Sequence, residues 1–296
     1  MAQGGVVLNR GVLYAVSAFV IWGLFPLYFR RMASVSPLEV VLQRSVWSLL
    51  FLAAVLAVLR RWSWVREVLR DPRQVGTFAL SAGLIAGNWL IYIYAVNSGQ
   101  VVESSLGYFI NPLFNVVIGV LVLGERLRRP QWVAVALAAA GVAWLAWVMG
   151  RLPWIALALA GTFAVYGLVR KTARLGSLEG LAFETGLLSV VALPVLAWWT
   201  VTHDGALLRG DLPLIGWLLT LGPATAVPLL LFTAGARRLS LSTIGLLQYI
   251  GPSLQFGIGV WVFGEPFDAA RLAGFALIWG ALAVYTLDAL RGRASA

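Results

Sequence analysis

The chain has 296 residues, 60% hydrophobic and 11% charged, with no cysteine, one histidine and a formal net charge of +10. Soluble domains carry about 25% charged and about 45–50% apolar residues, so a water-soluble fold of this length lacks the polar surface to cover so much oil. Missing cysteines exclude disulfides and thiolate metal sites, His203 stands alone in a polar connection, and the arginines lie in short loops, an orientation signal rather than a nucleic-acid-binding patch.

A bilayer span takes about 20 mostly apolar residues. Ten such runs follow one another: 11–30, 38–59, 75–97, 101–123, 131–149, 152–170, 178–200, 212–234, 241–263 and 270–290. A β-barrel would show alternating segments of about ten residues instead. The first run is long enough to remain a span and no small-residue cleavage site follows it, so no cleaved signal peptide is expected. The longest connection, 60–74, places Trp62, Val65, Val68 and Leu69 at helical spacing, as a helix lying at the interface does.

The second run carries Glu39, Gln43 and Arg44. Glu39 lies near the run's outer end, where it is solvated or caps the helix. Arg44 is deeper and needs a partner or a water-filled cavity: an anionic solute group, or a structural tie to Glu39 or Glu103. The third run offers Asn88, Trp89 and Tyr92, with Asn88 and Tyr92 on one helix face. In the fourth, Tyr108, Asn111 and Asn115 share a face, and Pro112 beside them frees a carbonyl and is expected to break the helix. The sixth holds Tyr166, the seventh Glu184, and the eighth Pro223, Thr225, Pro228 and Thr233. The ninth repeats the fourth's arrangement with Gln248, Tyr249, Pro252 (a second expected break) and Gln255.

Polar groups inside lipid are costly, so each is a candidate site. Trp22, Asn88, Trp89, Tyr92, Tyr108, Asn111, Asn115, Tyr166, Gln248, Tyr249 and Gln255 are the candidate cavity lining. The bland alternative is that the amides tie helices together by hydrogen bonds. Glu39, Arg44, Glu103 and Glu184 are candidates for charge or proton coupling. Glu184 equally suits neutralising Arg170 or Lys171, while Glu125 and Glu265 close helices beside loop glycines and are read as structural. Trp62, Trp64, Trp132, Trp154, Trp198 and Trp199 sit near span ends, where indoles anchor helices at headgroups.

The chain contains itself twice. SSLGYFINPLFNVVIGVLVLGE (104–125) matches IGLLQYIGPSLQFGIGVWVFGE (244–265), aligning Pro112 with Pro252, Gly119 with Gly259 and Gly124-Glu125 with Gly264-Glu265 at one offset. A repeat of five spans is odd-numbered, so the second copy inserts upside down. The flanks agree, GERLRR after the fourth span being basic and GEPFDA after the ninth acidic. With the N-terminus inside, the inner segments hold clusters such as Arg60, Arg61, Arg66, Arg70 and Arg73, while the outer ones hold only Arg30, Arg31, Arg151, Arg209 and Arg271. Both termini are therefore expected in the cytoplasm. The expected fold is all-α, ten transmembrane helices in two inverted five-helix repeats, 11–149 and 152–290. Inverted repeats commonly place a solute near the bilayer midplane between the halves.

These segments resemble a known family. AGNWLIYIYAVN (86–97), ESSLGYFINPLFNVVIGVLVLGERLRR (103–129), YGLVRK (166–171) and STIGLLQYIGPSL (242–254) are similar to the RarD family of bacterial permeases, within the EamA-type drug/metabolite transporters. The resemblance runs from Gly11 to Asp288. It implies two inverted EamA repeats, an inner-membrane location and secondary transport or export. Small multidrug relatives couple through a glutamate in the first span, and this chain has no carboxylate there.

The leading expectation is a permease or exporter that moves small metabolites or drugs by alternating access, with no cofactor, no metal and no nucleic acid. Its partners are a small-molecule solute and the lipid bilayer, and the sequence leaves the oligomeric state open, a monomer being compatible with it. The alternatives are a lipid scramblase, a channel-like pore or, less favoured, a membrane-embedded enzyme. Against the last stand the lack of an intramembrane His, of paired aspartates and of a phosphate-binding Gly loop.

Overall fold

The structure, a computed structural model, describes residues 10–123, 127–209, 211–236, 238 and 247–294. Among the described residues the chain is helical throughout: α1 (Arg10–Gly23), α2 (Phe25–Arg30), α3 (Pro37–Leu59), α4 (Ser63–Leu69), α5 (Pro72–Asn97), α6 (Val101–Leu123), α7 (Arg129–Met149), α8 (Trp154–Thr172), α9 (Ser177–Thr202), α10 (Leu212–Leu219), α11 (Leu221–Ala236), α12 (Ile250–Gly257) with a π-turn over Ile258–Val262, and α13 (Ala269–Ala294).

Local chemistry sets many of these boundaries. Prolines open α3, α5 and α10, where a missing N–H costs nothing. Asp71 accepts from the backbone N–H groups of Arg73 and Gln74 at the start of α5, and Asp211 accepts from Leu214 at the start of α10. Gly150 closes α7 in the left-handed region, φ 64°. The first run is broken at Leu24, between α1 and α2, because Pro26 has no N–H to offer the Trp22 carbonyl one turn earlier. Gln255 of α12 donates its Nε2 to that carbonyl instead, at 3.0 Å.

The two expected proline breaks part company. Pro112 lies inside an unbroken α6, so the expected break there is corrected. One lost hydrogen bond does not break a long helix whose flanks are packed on α8 and α12. Pro252 sits in the first turn of α12, directly after a turn at Gln248–Tyr249. The helical spacing seen in 60–74 is α4, with Val68 buried against Phe78 and Phe183.

α3 packs along α9, α1 along α11, α5 and α6 against α8, and α12 against both α1 and α6. α7 and α13 form an outer pair, packed chiefly on each other. A Cβ on Gly141 would meet the Gly274 carbonyl at 2.9 Å and Ile278 at 2.8 Å, the close approach that small residues permit between membrane helices.

At one end of the bundle the connections 31–36 and 203–209 meet through Arg209 and Ser34, and 98–103 meets 151–155 and Glu265. At the other end Arg61 reaches Glu179, Arg174 reaches Asp71 and Arg128 reaches Asp288.

Seven helices, or helix pairs in line, are long and apolar enough among the described residues to cross a membrane: 10–30, 37–59, 72–97, 129–149, 178–202, 212–232 and 269–288. Shorter apolar helices cover 154–170 and 250–262, and α6 is 23 residues long. Val58, Trp147, Val201 and Trp261 are each more than 80% exposed. Such a coat is a liability in water and the expected finish of a protein surrounded by lipid.

Candidate functional site

The buried polar groups fall into several separate clusters. The first centres on Arg44, two turns into α3 and 5% exposed. Its guanidinium carbon lies 3.9 Å from the centre of the Trp89 ring, with Phe25 and Phe29 of α2 at 5.9 and 5.7 Å. Tyr28, Tyr92 and Tyr108 bring phenol oxygens within electrostatic range. The rings are continuous: Phe29 meets Tyr92 at 5.9 Å, Tyr92 meets Tyr108 at 5.9 Å, and Tyr108 meets Phe163 at 6.4 Å, which meets Tyr166 at 5.9 Å. An aromatic wall thus runs from α2 through α5 and α6 to α8.

Neither carboxylate considered as a tie for Arg44 is free to serve. Glu39 is 1% exposed and accepts the Ala206 backbone N–H at 2.8 Å. It is therefore neither solvated nor a cap of its own helix. Glu103 accepts from Arg151 at 2.8 Å and from the Ile155 backbone N–H at 3.0 Å, tying α6 to the start of α8. Among the described residues no carboxylate lies within 4.0 Å of Arg44, and its buried Nε has no acceptor. The energetics sharpen this. An arginine at the centre of a membrane helix costs about 2.5–3.5 kcal/mol on insertion scales. A desolvated cation over an indole recovers about 2 kcal/mol, and both phenylalanine rings stand near the limit of that interaction. The cage offsets part of the charge and supplies no acceptor for the N–H groups.

The second cluster centres on Glu184 of α9, 1% exposed. It accepts from Ser81 at 2.5 Å and from Tyr166 at 3.3 Å, and lies 3.6 Å from Arg170. Three helices, α5, α8 and α9, are thereby tied. Arg170 also lies 5.1 Å over the Phe78 ring and donates to the Gly176 carbonyl. Of the two cations weighed as its partner, Arg170 reaches Glu184; the Lys171 side chain lies outside the described residues.

The remaining candidates are dispersed. Asn88 turns to α8, donating to the Leu159 carbonyl at 3.0 Å and to Thr162 at 2.9 Å. That is the helix-tying use, on a different face from Trp89. Trp22 packs with Phe19 and Phe232. Tyr249 packs against the apolar cluster that includes Ile278, Ala281 and Leu282 of α13. Asn111 and Gln255 each keep a buried side-chain oxygen without a partner, and Gln248 is half-buried. The Asn115 and Thr233 side chains and Glu125 lie outside the described residues. Glu265 grips the start of α6, accepting from Val101 at 2.6 Å and Val102 at 2.8 Å. Two clefts, of about 390 and 480 Å³, open elsewhere against mostly apolar walls that include Leu38, Leu90 and Trp154 in one, Phe256, Trp261 and Trp279 in the other.

Sequence reasoning missed Phe25, Tyr28 and Phe29, which read as plain span residues, and Ser81 and Phe163. Gly23 with Pro26 was the available signal for the first three, since a kinked span turns its next residues inward.

Helices with a lipid-compatible coat, buried ionisable clusters and no soluble domain among the described residues define a multi-pass membrane protein. The EamA-like transporter family model matches residues 9–147. The chain is 46% identical over 284 residues to an uncharacterized transporter, PA0485, of Pseudomonas aeruginosa, covering 96% of this chain and 95% of that one. It is 48% identical over 283 residues to the protein RarD of Streptomyces exfoliatus, 96% and 90% of the two chains. It is 44% identical over 285 residues to the protein RarD of Escherichia coli K12, 95% of each. A solved structure described only as a crystal structure of a protein aligns with TM-score 0.60 at 22% identity, over 95% of this chain and 98% of that one, a likeness of fold. The chain belongs to the RarD family of EamA-type membrane transporters.

Proposed function

We propose that the protein is a secondary transporter of small metabolites or drugs, built from ten spans in two inverted halves, 11–149 and 152–290, that alternate access to a site between them. The observation that carries this is the pattern of helix partners. The second span packs on the seventh (α3 on α9), the fourth on the ninth (α6 on α12) and the fifth on the tenth (α7 on α13). The first packs on the eighth as the third does on the sixth, the first on the ninth as the fourth on the sixth, and the second on the eighth as the third on the seventh. Exchanging the halves leaves this set of pairings unchanged. Two related bundles with equivalent contacts have two equivalent ways to tilt, which is what alternating access requires.

The meeting of connections 31–36 with 203–209 at one end, and of Arg61 with Glu179 at the other, agrees with ten crossings. The basic inner loops orient both termini to the cytoplasm of a bacterial inner membrane. The names of the relatives point the same way, away from catalysis.

The test is counterflow in proteoliposomes with a broad solute panel. A carrier saturates and exchanges labelled for unlabelled solute; unitary currents or lipid flipping without exchange would favour a pore or a scramblase. Asn111→Leu and Gln248→Leu are expected to slow exchange at unchanged expression. Unchanged rates in both would place the cavity elsewhere. Accessibility labelling that found 126–129 and 266–268 in the same compartment would overturn the inverted topology.

A further inference from the structure

We propose that Arg44 is the seat for an anionic group, a carboxylate or a phosphate, on the transported solute, with the Tyr92 hydroxyl as a second donor. The proposal rests on the carrier reading above and names the class of solute that the carrier takes.

Arg44 lacks an internal hydrogen-bond partner for its Nε among the described residues. It is buried and held against Trp89 at 3.9 Å, yet its Nε has no acceptor and no carboxylate is in reach among the described residues. Glu39 and Glu103 are committed to Ala206, Arg151 and Ile155. Tyr92, in ring contact with Phe29 and within electrostatic range of Arg44, also has a buried hydroxyl without a partner. Two buried donors without partners in an aromatic enclosure have the chemistry of an anion site.

The repeat makes the contrast internal. At the repeat's offset, Leu38-Glu39 aligns with Leu178-Glu179, and Arg44 aligns with Glu184. The two ionisable groups thus occupy equivalent positions on α3 and α9, which pack together. Glu184 is satisfied from within by Ser81, Tyr166 and Arg170, whereas Arg44 is satisfied only by rings. Stacking fixes the plane of the guanidinium and leaves its edge to donate, the geometry suited to a bidentate carboxylate or phosphate. A neutral solute of the same shape brings weaker acceptors and no counter-charge for Arg44, and binds less well for that reason.

The experiment measures binding and heat stability of the purified protein in phosphatidylcholine nanodiscs, whose headgroups bring no net charge. The probes are benzoate, phenyl phosphate, the uncharged benzamide and the cationic benzylamine. At least one of the two anions is expected to bind and raise the melting temperature, and the preferred one assigns carboxylate or phosphate. Benzamide and benzylamine are expected not to. Arg44→Gln is expected to weaken that anion about tenfold to a hundredfold, as loss of charge-assisted hydrogen bonds does, with Arg44→Lys in between. The empty Arg44→Gln protein is expected to melt no lower than the wild type, because a lone buried charge is removed.

Benzamide binding as tightly as benzoate, failure of both anions to bind, or undiminished anion affinity in Arg44→Gln would overturn the proposal. So would an empty Arg44→Gln protein that melts far below the wild type, which marks a structural role. The benzoate and benzamide comparison needs no variant and decides the matter if Arg44→Gln does not fold. Competition by added phosphatidylglycerol for the anion would reassign the seat to a lipid headgroup. Counterflow restricted to neutral or cationic solutes would remove the anion seat and keep the carrier. Anion binding without exchange of any solute would do the reverse.

Discussion

Glu265 offers the sharpest quantitative test of how this fold is held. Its carboxylate accepts the Val101 and Val102 backbone N–H groups at 2.6 and 2.8 Å, two of the donors that the first turn of any helix leaves orphaned. The loop is shaped to deliver it: Gly264 sits at φ 66°, and the Glu265 N–H bonds to the Gly259 carbonyl at 2.9 Å. A Cβ on Gly259 would stand 2.8 Å from a Val102 methyl, so glycine is what lets the two strands of chain approach. Glu265→Ala removes both bonds and leaves a fully buried Val101 N–H facing nothing. At about 1.5–3 kcal/mol per hydrogen bond to a charged group, the loss is about 3–6 kcal/mol. Glu265→Gln keeps one oxygen acceptor and loses the charge at the helix N-terminus, so about half that cost is expected. Equilibrium unfolding of the detergent-solubilised protein measures both. A ranking of wild type above Gln above Ala is expected; Glu265→Ala within about 0.5 kcal/mol of the wild type, the usual range for inconsequential surface changes, would refute the capping argument.

Glu184→Gln leaves the part-buried Arg170 without its counter-charge and should destabilise by about 1–3 kcal/mol. Adding Arg170→Gln should recover much of that, and additive losses in the double variant would mean the pair is not coupled. If Glu184→Gln drives uptake from an imposed pH gradient as the wild type does, Glu184 has no proton-coupling role. Gly141→Leu wedges α7 from α13 and should cost about 1–3 kcal/mol or more by overpacking, while leaving the affinity for transported solute unchanged. An altered affinity would bring the outer pair into the transport site.

Much of the helical framework was legible in the sequence, because lipid imposes a one-dimensional rule: about twenty apolar residues, then a break. The apolar runs that form α3, α5, α6, α7, α8, α9 and α13, and the helical spacing that forms α4, follow from composition and spacing. The break at Leu24 was also written, in Gly23 and Pro26, but a break inside an apolar run is silent to hydropathy. Pro112 shows the opposite failure: a strong local signal overruled by packing on both sides.

Partnership was decided only in three dimensions. Glu39, Arg44, Glu103 and Glu184 all read as costly groups in lipid, and no spacing rule says which of them are satisfied. The bundle settles it by bringing Ala206 to Glu39, Arg151 to Glu103 and Arg170 with Ser81 and Tyr166 to Glu184, while Arg44 meets rings that come from separate helices. Asn88 and Trp89 are neighbours in sequence and face different helices, since successive residues turn by about 100°. Burial energy depends on which groups meet, and the meeting is a property of tertiary packing rather than of order along the chain.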